Sequence, residues 1–477
     1  MEEAKIVDFF QRNGFLIQQE AIEFILKKRI DPLDCLEKIS NMKEKPLAIS
    51  VDLLNELFKE IRKEQIEKRE ERKREIKEEE FKIIKELGEK TNCSGKVDDF
   101  LELFKDRFFK IREIIKRRQE MRGCLNIKRV KKRGEEDVSI IGIIRDIRQA
   151  KNGFILDIED DEDSISVYVP KDVDSSIMND EVIGINGKKN KDLFIAKNIV
   201  RPEIPIEGRK NFLDEEKYVL FISDLHVGSK NFLEKKWNHF VKWLNGENGT
   251  ERQKEVARKI RYVIISGDLV EGIGIYPNQE KDLEIEDIFE QYKCLSEKLS
   301  QFPPYIKVIL QPGNHDAVRP PLPQPPLERE IRQFFEGKNF IFVSNPCYLK
   351  IGNATILSYH GQSIQDFASV LPGLNQNNPT KIMREMLRRR HLAPIYGGLT
   401  SLAPEREDYL VVDIVPDIFV TGHVHVSCIE SYRGVILVNA SAWQKQTDYQ
   451  RTMNLLPDPA KPVVVNLANF KGSIISF

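Results

Sequence analysis

Residues 306–316 read IKVILQPGNHD: an apolar run, a Pro-Gly turn, then three polar residues in a row. The run is short, rich in β-branched residues and closed by a chain breaker, so it predicts a buried strand rather than a helix. Polar side chains at the carboxyl end of such a strand stand where α/β sheets gather their ligands. Moving outward, the pattern recurs four times. YVLFIS leads to Asp224-Leu225-His226 and YVIISG to Asp268; ATILSY leads to His360-Gly361 and DIFVTG to His423-Val424-His425. Five apolar runs that end in Asp, His or Asn describe one pole of one layered α/β domain, spanning 208–477.

The residue types carry a chemistry. The chain has seven histidines, and five lie in these motifs; His239 and His391 are the exceptions. A lone histidine is more often a packed or surface residue than a ligand, but five at strand ends, interleaved with Asp and Asn, point to metal binding. In Asp224-x-His226, strand alternation is expected to turn both side chains the same way, so that both reach one ion, and His423-x-His425 repeats the arrangement. Carboxylate and amide oxygen mixed with imidazole nitrogen suits Mn²⁺, Fe²⁺, Zn²⁺ or Mg²⁺. An anionic Asp268 can bridge two such cations roughly 3.5–4 Å apart, an arrangement that activates water and clamps the oxygens of an in-line phosphoryl displacement. Asp268 and Asn314 read singly are turn residues; read in the order DxH, GD, GNHD, HG, GHxH they are a two-metal phosphoesterase site.

The rest of the 477 residues is less specific. Hydrophobic residues make up 40% and charged residues 32%, the latter above the ordinary ~25%. The excess is Lys and Glu, as in hot-adapted proteins. A net charge of −1 means that any basic surface is local. The six cysteines (35, 93, 124, 294, 347, 428) have no CxxC spacing, which fits a reducing cytosol. The first residues, MEEAKIVDFF, do not read as a signal peptide, and no apolar run approaches a membrane span, so a cytoplasmic protein without membrane contact is expected.

Residues 1–50 read as a helical module, with Asp31-Pro32 as a helix start. Residues 51–136 read as a charged helical linker. Within it, 59–82 hold 19 charged residues among 24, a solvated helix or flexible spacer. Residues 105–133 hold 13 Lys and Arg against 3 acids. Beside Phe104, Phe108 and Phe109 this run suits a phosphate backbone, with Lys116, Arg117, Arg118, Lys131, Lys132 and Arg133 as candidate contacts; a solubilising helix and hinge is the even-weight alternative. Five β-rich runs in 137–203 suggest an OB-fold barrel, of the kind that binds single-stranded nucleic acid or serves protein contact alone. There is no internal repeat, and PPLPQPP at 320–326 is a rigid loop.

The ordered motifs resemble the calcineurin-like metallophosphoesterase superfamily. The resemblance implies that Asp224, His226, Asp268 and His425 hold one metal, and that Asp268, Asn314, His360 and His423 hold a second. It also implies that His315 stands beside the scissile phosphate and is oriented by Asp316. AVRPPLPQP, HLAPIYGGLTSLAPEREDYLVVDIVPDIFVTGHVH and MNLLPDPAKPVVVNL are closer still to the small subunits of archaeal family D DNA polymerases. That family implies 3′–5′ exonuclease proofreading on single-stranded or frayed DNA ends, with two divalent ions, Mn²⁺ foremost. It implies a large catalytic subunit as obligate partner in a heterodimer or higher assembly, primer–template DNA as a further partner, and a place at the archaeal nucleoid. A sliding clamp is a further candidate partner, although no docking motif stands out. The expected architecture is multidomain α+β: helical module, OB-fold, and four-layer α/β/β/α phosphoesterase domain. Two rival readings are a non-catalytic assembly subunit and a small-molecule phosphodiesterase.

Overall fold

The computed structural model describes residues 3–28, 32–40, 42, 46–54, 81–89, 91, 93–191, 193–206, 216–337, 339–452 and 454–477. The charged spacer read at 59–82 falls outside the described residues as far as residue 80. The chain forms two compact units, residues 1–81 and 82–477.

In the first unit, helices Glu3–Arg12, Gln19–Lys28 and Pro32–Ser40 accompany a parallel pair, β1 (Leu16–Ile17) and β2 (Ala48–Ile49). Ile6 and Phe10, Ile22 and Ile25, and Cys35 and Ile39 recur at helical spacing and are all buried in one small core. Pro32 opens its helix, where its missing N–H leaves no bond unmade.

The second unit begins with β3 (Phe81–Glu86) and the helix Val97–Lys116. Next come β4 (Asp137–Ala150), β5 (Gly153–Glu159), β6 (Ser164–Pro170), β7 (Val182–Asn190) and β8 (Leu193–Val200), which close a barrel in the order β4-β5-β6-β8-β7. Alternate residues such as Leu156, Ile158, Val167 and Val169 point into its core.

The remaining strands are β9 (Tyr218–Ile222), β10 (Ile260–Ser266), β11 (Lys307–Gln311), β12 (Phe340–Phe342), β13 (Cys347–Ile351), β14 (Ala354–Ser358), β15 (Ile418–Thr421), β16 (Cys428–Tyr432), β17 (Val435–Asn439), β18 (Val463–Asn466) and β19 (Gly472–Ile474). They build two six-stranded sheets, ordered β12-β11-β10-β9-β18-β19 and β16-β17-β15-β14-β13-β3. On the outside of the first sheet, Trp237, Phe240, Tyr292 and Leu295 of two helices pack on Leu220, Ile222 and Val263. On the outside of the second, Phe367, Ile382 and Met386 pack on Leu357, Phe419 and Leu437. The sheets meet at their carboxyl ends, where Ser266 Oγ lies 3.2 Å from Ser358 Oγ and Gln311 Nε2 donates to the Ser358 carbonyl at 3.0 Å. The layers therefore run helix, sheet, sheet, helix.

The region read as a linker contributes more than a spacer. β3 is the edge of the second sheet, tied in by Ser344 N–H donating to Glu86 Oε2 at 2.9 Å and by Lys85 pairing with Asp413 at 2.9 Å. The helix Val97–Lys116 buries Phe108, Ile111 and Ile115 against Ile141, Ile143 and Val182 of the barrel. Its Arg107 is fully buried: Nε reaches Asp408 Oδ2 at 2.8 Å and Nη1 donates to the Pro394 carbonyl at 2.6 Å. His391 Nε2 meets the same Asp408 oxygen at 2.9 Å. A second ionic seam, Arg201 with Asp174 and Glu181, then Glu181 with Arg389 at 2.8 Å, joins the barrel to the helix Pro379–Arg389. Breaking one partner of such a buried pair typically costs about 3–5 kcal/mol, so barrel and sandwich hold together as one body.

Candidate metal centre

All five motifs lie at carboxyl ends: Asp224 and His226 follow β9, Asp268 follows β10, Asn314 and His315 follow β11, His360 follows β14, and His423 and His425 follow β15. Three of these strands belong to one sheet and two to the other, so the site straddles the seam between them.

Strand alternation does not align the DxH and HxH pairs. β9 ends at Ile222 and β15 at Thr421, and the pairs lie beyond them in turns. Asp224, His226, Asp268, His423 and His425 all have positive φ, between 50° and 69°. A left-handed non-glycine residue costs about 1–3 kcal/mol. The cost is met locally. Asp224 N–H donates to the Gly267 carbonyl at 3.0 Å, His226 N–H to the Asp268 carbonyl at 3.1 Å, and Trp443 N–H to the Asp224 carbonyl at 2.9 Å. Trp443 is itself wedged against Trp237 at 5.0 Å between centroids. Two glycines permit the close approach: a Cβ on Gly313 would stand 2.2 Å from Asp268 Oδ1, and one on Gly422 2.5 Å from Asp224 Oδ2.

Backbone amides of one motif orient the carboxylates of another. His315 N–H donates to Asp268 Oδ1 at 2.9 Å, and His423 N–H to Asp224 Oδ2 at 2.9 Å. Asp268 Oδ2 is left facing His360 Nε2 at 3.2 Å, His226 Nε2 at 3.9 Å and His315 Nε2 at 4.0 Å. Burial pushes the Asp268 carboxyl up, but the rings of His360 and His315 outweigh it and hold it well below the usual carboxylate range.

The imidazoles are oriented from behind. His360 Nδ1–H donates to the Ser266 carbonyl and His315 Nδ1–H to the Glu271 carbonyl, each at 2.8 Å; His226 Nδ1 meets Glu271 Oε2 at 3.1 Å. These contacts turn the opposite nitrogens inward, where like meets like: His226 Nε2 stands 3.1 Å from His425 Nε2, and His423 Nδ1 3.3 Å from His360 Nε2. Asn314 Oδ1 lies 3.0 Å from His360 Nε2, and Asp224 Oδ1 3.4 Å from His425 Nε2. Three overlapping sets of candidate donor atoms result among the described residues, Asp224/His226/His425, Asp268/His360/His423 and His226/Glu271/His315, each within 4.8 Å of one another. Facing imidazole nitrogens can share a proton, as Gln450 Nε2 donating to His425 Nδ1 at 2.8 Å leaves His425 Nε2 to donate to His226 Nε2; with that proton released, the same nitrogens would ligate a cation. The residues therefore fit divalent metal binding.

Two features were not legible in the motifs. Glu271, 1% exposed, supports His226 with its carboxylate and His315 with its carbonyl; its only sequence signal is its place three residues after Asp268. Asp316 does not touch the His315 ring. Its Oδ2 accepts from Gly313 and Leu269 N–H at 2.8 and 3.1 Å, and its Oδ1 accepts from Tyr292 OH at 2.9 Å. It fastens the GNHD turn to β10 and a helix, so any effect on His315 passes through the backbone. Burial, then the charge of Asp268, pushes its carboxyl up to about 7.

The expected nucleic-acid contacts are largely neutralised within the fold. Lys116 pairs with Glu113 at 2.9 Å, Arg118 with Glu120 at 3.3 Å, Lys131 with Asp163 at 2.7 Å and Arg133 with Glu136 at 3.3 Å. Arg117 and Lys132 stand at the carboxyl ends of the helices Val97–Lys116 and Ile127–Lys131. Phe108 is buried and Phe104 packs on Tyr396, whereas Phe109 lies under the Arg112 guanidinium and stays exposed. Lys131 does line a groove of about 790 Å³ on the barrel, together with Arg145, Lys189 and Lys191.

The family model for the B-type subunits of DNA polymerases alpha and epsilon matches residues 219–429. The DNA polymerase II small subunit of Archaeoglobus fulgidus is 39% identical over 97% of this chain and 96% of its own length. That of Methanothermobacter thermautotrophicus is 36% identical over 97% and 98%. Relatives of the same name in Methanocaldococcus jannaschii and Pyrococcus horikoshii are longer, and the chain spans 66% and 61% of them. Among solved structures, an archaeal phosphodiesterase is similar at 12% identity with a TM-score of 0.27, over 55% of this chain and 99% of that one.

Proposed function

The chain belongs to the small-subunit family of archaeal DNA polymerase II, and from that premise we propose that it is the proofreading subunit, a 3′–5′ exonuclease acting on unpaired DNA ends beside a large polymerase subunit. The observation that carries the reading is the convergence of inward-facing imidazole nitrogens on Asp268 Oδ2. An assembly-only subunit has no need of strained turns and matched tautomers at that pole.

Asp224, His226, Asp268 and His425 would hold one divalent cation, and Asp268, Asn314, His360 and His423 the other, with Mn²⁺ foremost. When bound, the pair supplies Lewis acidity and an activated water. The cleft around these residues needs that charge: it is lined by Asp268 and Glu271, and among the described residues lining it none is Lys or Arg. A phosphodiester would meet net negative charge without the cations.

The chain's own residues do the rest. His315 turns Nε2 into the cleft because Nδ1 is held by the Glu271 carbonyl, so its proton is aimed at the departing 3′-oxygen. Water adds to phosphorus and releases a proton to solvent, the bond to the 3′-oxygen of the preceding nucleotide breaks, and that oxygen takes the Nε2 proton of the His315 imidazolium, which solvent restores. Glu271 keeps His226 in the tautomer that presents Nε2, the carboxylate–histidine device of metal enzymes. The barrel, whose strand order is that of an OB-fold, and the helical N-terminal unit serve DNA presentation and subunit contact.

The test is digestion of a mismatched 3′ end with Mn²⁺, comparing wild type with His315→Ala, with and without the large subunit. Release of 3′ nucleotides that the variant loses is the expected result. Bound metal without cleavage under any condition would return the chain to an assembly role.

A further inference from the structure

The cleft that contains Asn314 and His315 has a volume of about 350 Å³, the scale of a single small ligand rather than a polymer groove. One side is polar and holds the centre described above. The other carries Ile275, Tyr276, Leu399 and Leu455. Apolar side chains on the rim of a hydrolytic site are unexpected on solvation grounds, and two of them are held in place by buried carboxylates.

Tyr276 OH lies 3.0 Å from both Glu271 Oε1 and Asp282 Oδ2 and shares its one proton between them, which fixes its ring with a centroid 6.4 Å from that of His315. Leu399 is 69% exposed, yet its backbone is fixed: Asp366, itself 4% exposed, accepts from Leu399 N–H at 2.7 Å and from Thr400 N–H at 3.1 Å. A flexible loop would let an exposed leucine fold away; this one is held out. Rigid apolar walls beside a phosphoesterase centre match one chemical object, the face of a nucleobase whose own phosphate lies at the centre.

We propose that Tyr276 and Leu399 form a receptor for one unstacked 3′-terminal base, so that unpairing of that base is a condition of cleavage. The proposal rests on the nuclease reading above and names its substrate element. A base must leave the duplex to enter, and unpairing costs least at a mismatched end. Selection for errors then follows from the shape of the receptor and needs no reading of base identity, since stacking accepts any base.

The experiment compares single strands ending in an ordinary nucleotide with strands ending in an abasic sugar, using the full-length chain with Mn²⁺. Stacking on one aromatic predicts a preference of about tenfold or more in kcat/KM for the ordinary end. Tyr276→Ala and Leu399→Ala should shrink the ratio toward one. Tyr276→Phe, which keeps the ring, should preserve it. In parallel, a 3′-terminal 2-aminopurine is followed by fluorescence in the His315→Ala background with Mn²⁺; quenching on binding, lost when Leu399→Ala is added, reports the seated base without any turnover. Equal rates on both ends in wild type, or a preference that neither alanine variant moves, would sink the receptor while leaving the nuclease standing. If no DNA is cut, the nuclease reading fails first, and the fluorescence alone decides whether a base is held.

Discussion

Two buried histidine–carboxylate clusters sit in the same 82–477 body and behave as opposites. At the seam, His391 and Arg107 both bring donors to one Asp408 oxygen, at 2.9 and 2.8 Å. Donor meets acceptor at both contacts, although Arg107 Nη2 is buried without a partner. At the pole, His226 meets His425 and His360 meets His423 nitrogen to nitrogen, at 3.1 and 3.3 Å. Its facing nitrogens either share a proton between rings or, with that proton released, turn lone pairs toward a cation. A structural ionic network and a ligand site can thus be told apart even when both are fully buried: burial and residue type are the same, and the polarity of the facing atoms decides.

Mutations put this contrast at risk. Asp268→Asn should have the largest effect, lowering DNA cleavage on the order of 10⁴-fold, because its carboxylate faces both donor sets and each cation is worth several kcal/mol. Metal content measured by mass spectrometry should fall at both positions together; full occupancy would refute the bridging role. His315→Ala should lower kcat by about a thousandfold with both metals retained. Glu271→Gln should weaken metal affinity or activity by about ten- to a hundredfold, seen as a rise in the Mn²⁺ concentration needed for half-maximal rate.

At the seam the readout changes. Arg107→Ala leaves Asp408 buried with half its partners and should destabilise the second unit by about 3–5 kcal/mol, lowering Tm with metal content unchanged. A variant that lost metal instead would erase the distinction between the clusters. The finest test is pH. Burial, then repulsion from Arg107, holds the His391 imidazole down to about 4 against an ordinary 6.5. Between those values the unfolded chain takes up a proton that the folded chain refuses, so this contribution to stability is full above pH 6.5 and falls as pH drops toward 4. His391→Gln keeps a donor for Asp408 without the titration, and thermal melts across that range should show a shallower slope.

The sequence carried the pole well, because strand ends are marked by apolar runs and Gly-rich turns that can be counted along the chain. His360 and His423 stand out that way. What it did not carry is contact made through the backbone. Glu271 reaches His315 by its carbonyl, and Asp316 holds its loop through three hydrogen bonds, two of them from backbone N–H; neither interaction leaves a periodicity. The positive φ of Asp224 and His425 was equally silent, since alternation predicts the same facing by another route. The pairing of the basic run was legible only in part: Glu113 and Glu120 lie within it, but Asp161 and Asp163, which meet Arg112 and Lys131, lie far along the chain.

β3 has a consequence for how this chain can be cut. The chain enters the second sheet at 81–86, departs to build the barrel, and returns only at 347. The barrel is thus inserted within the sandwich rather than threaded ahead of it. A fragment begun at residue 208, where the motifs suggest a boundary, would strip β13 of its neighbour and bare a row of unpaired amides and carbonyls, the template for intermolecular pairing. The two-sheet domain is therefore not a bead that can be unstrung: shuffled into a fusion without its first strand, it would arrive with an adhesive edge.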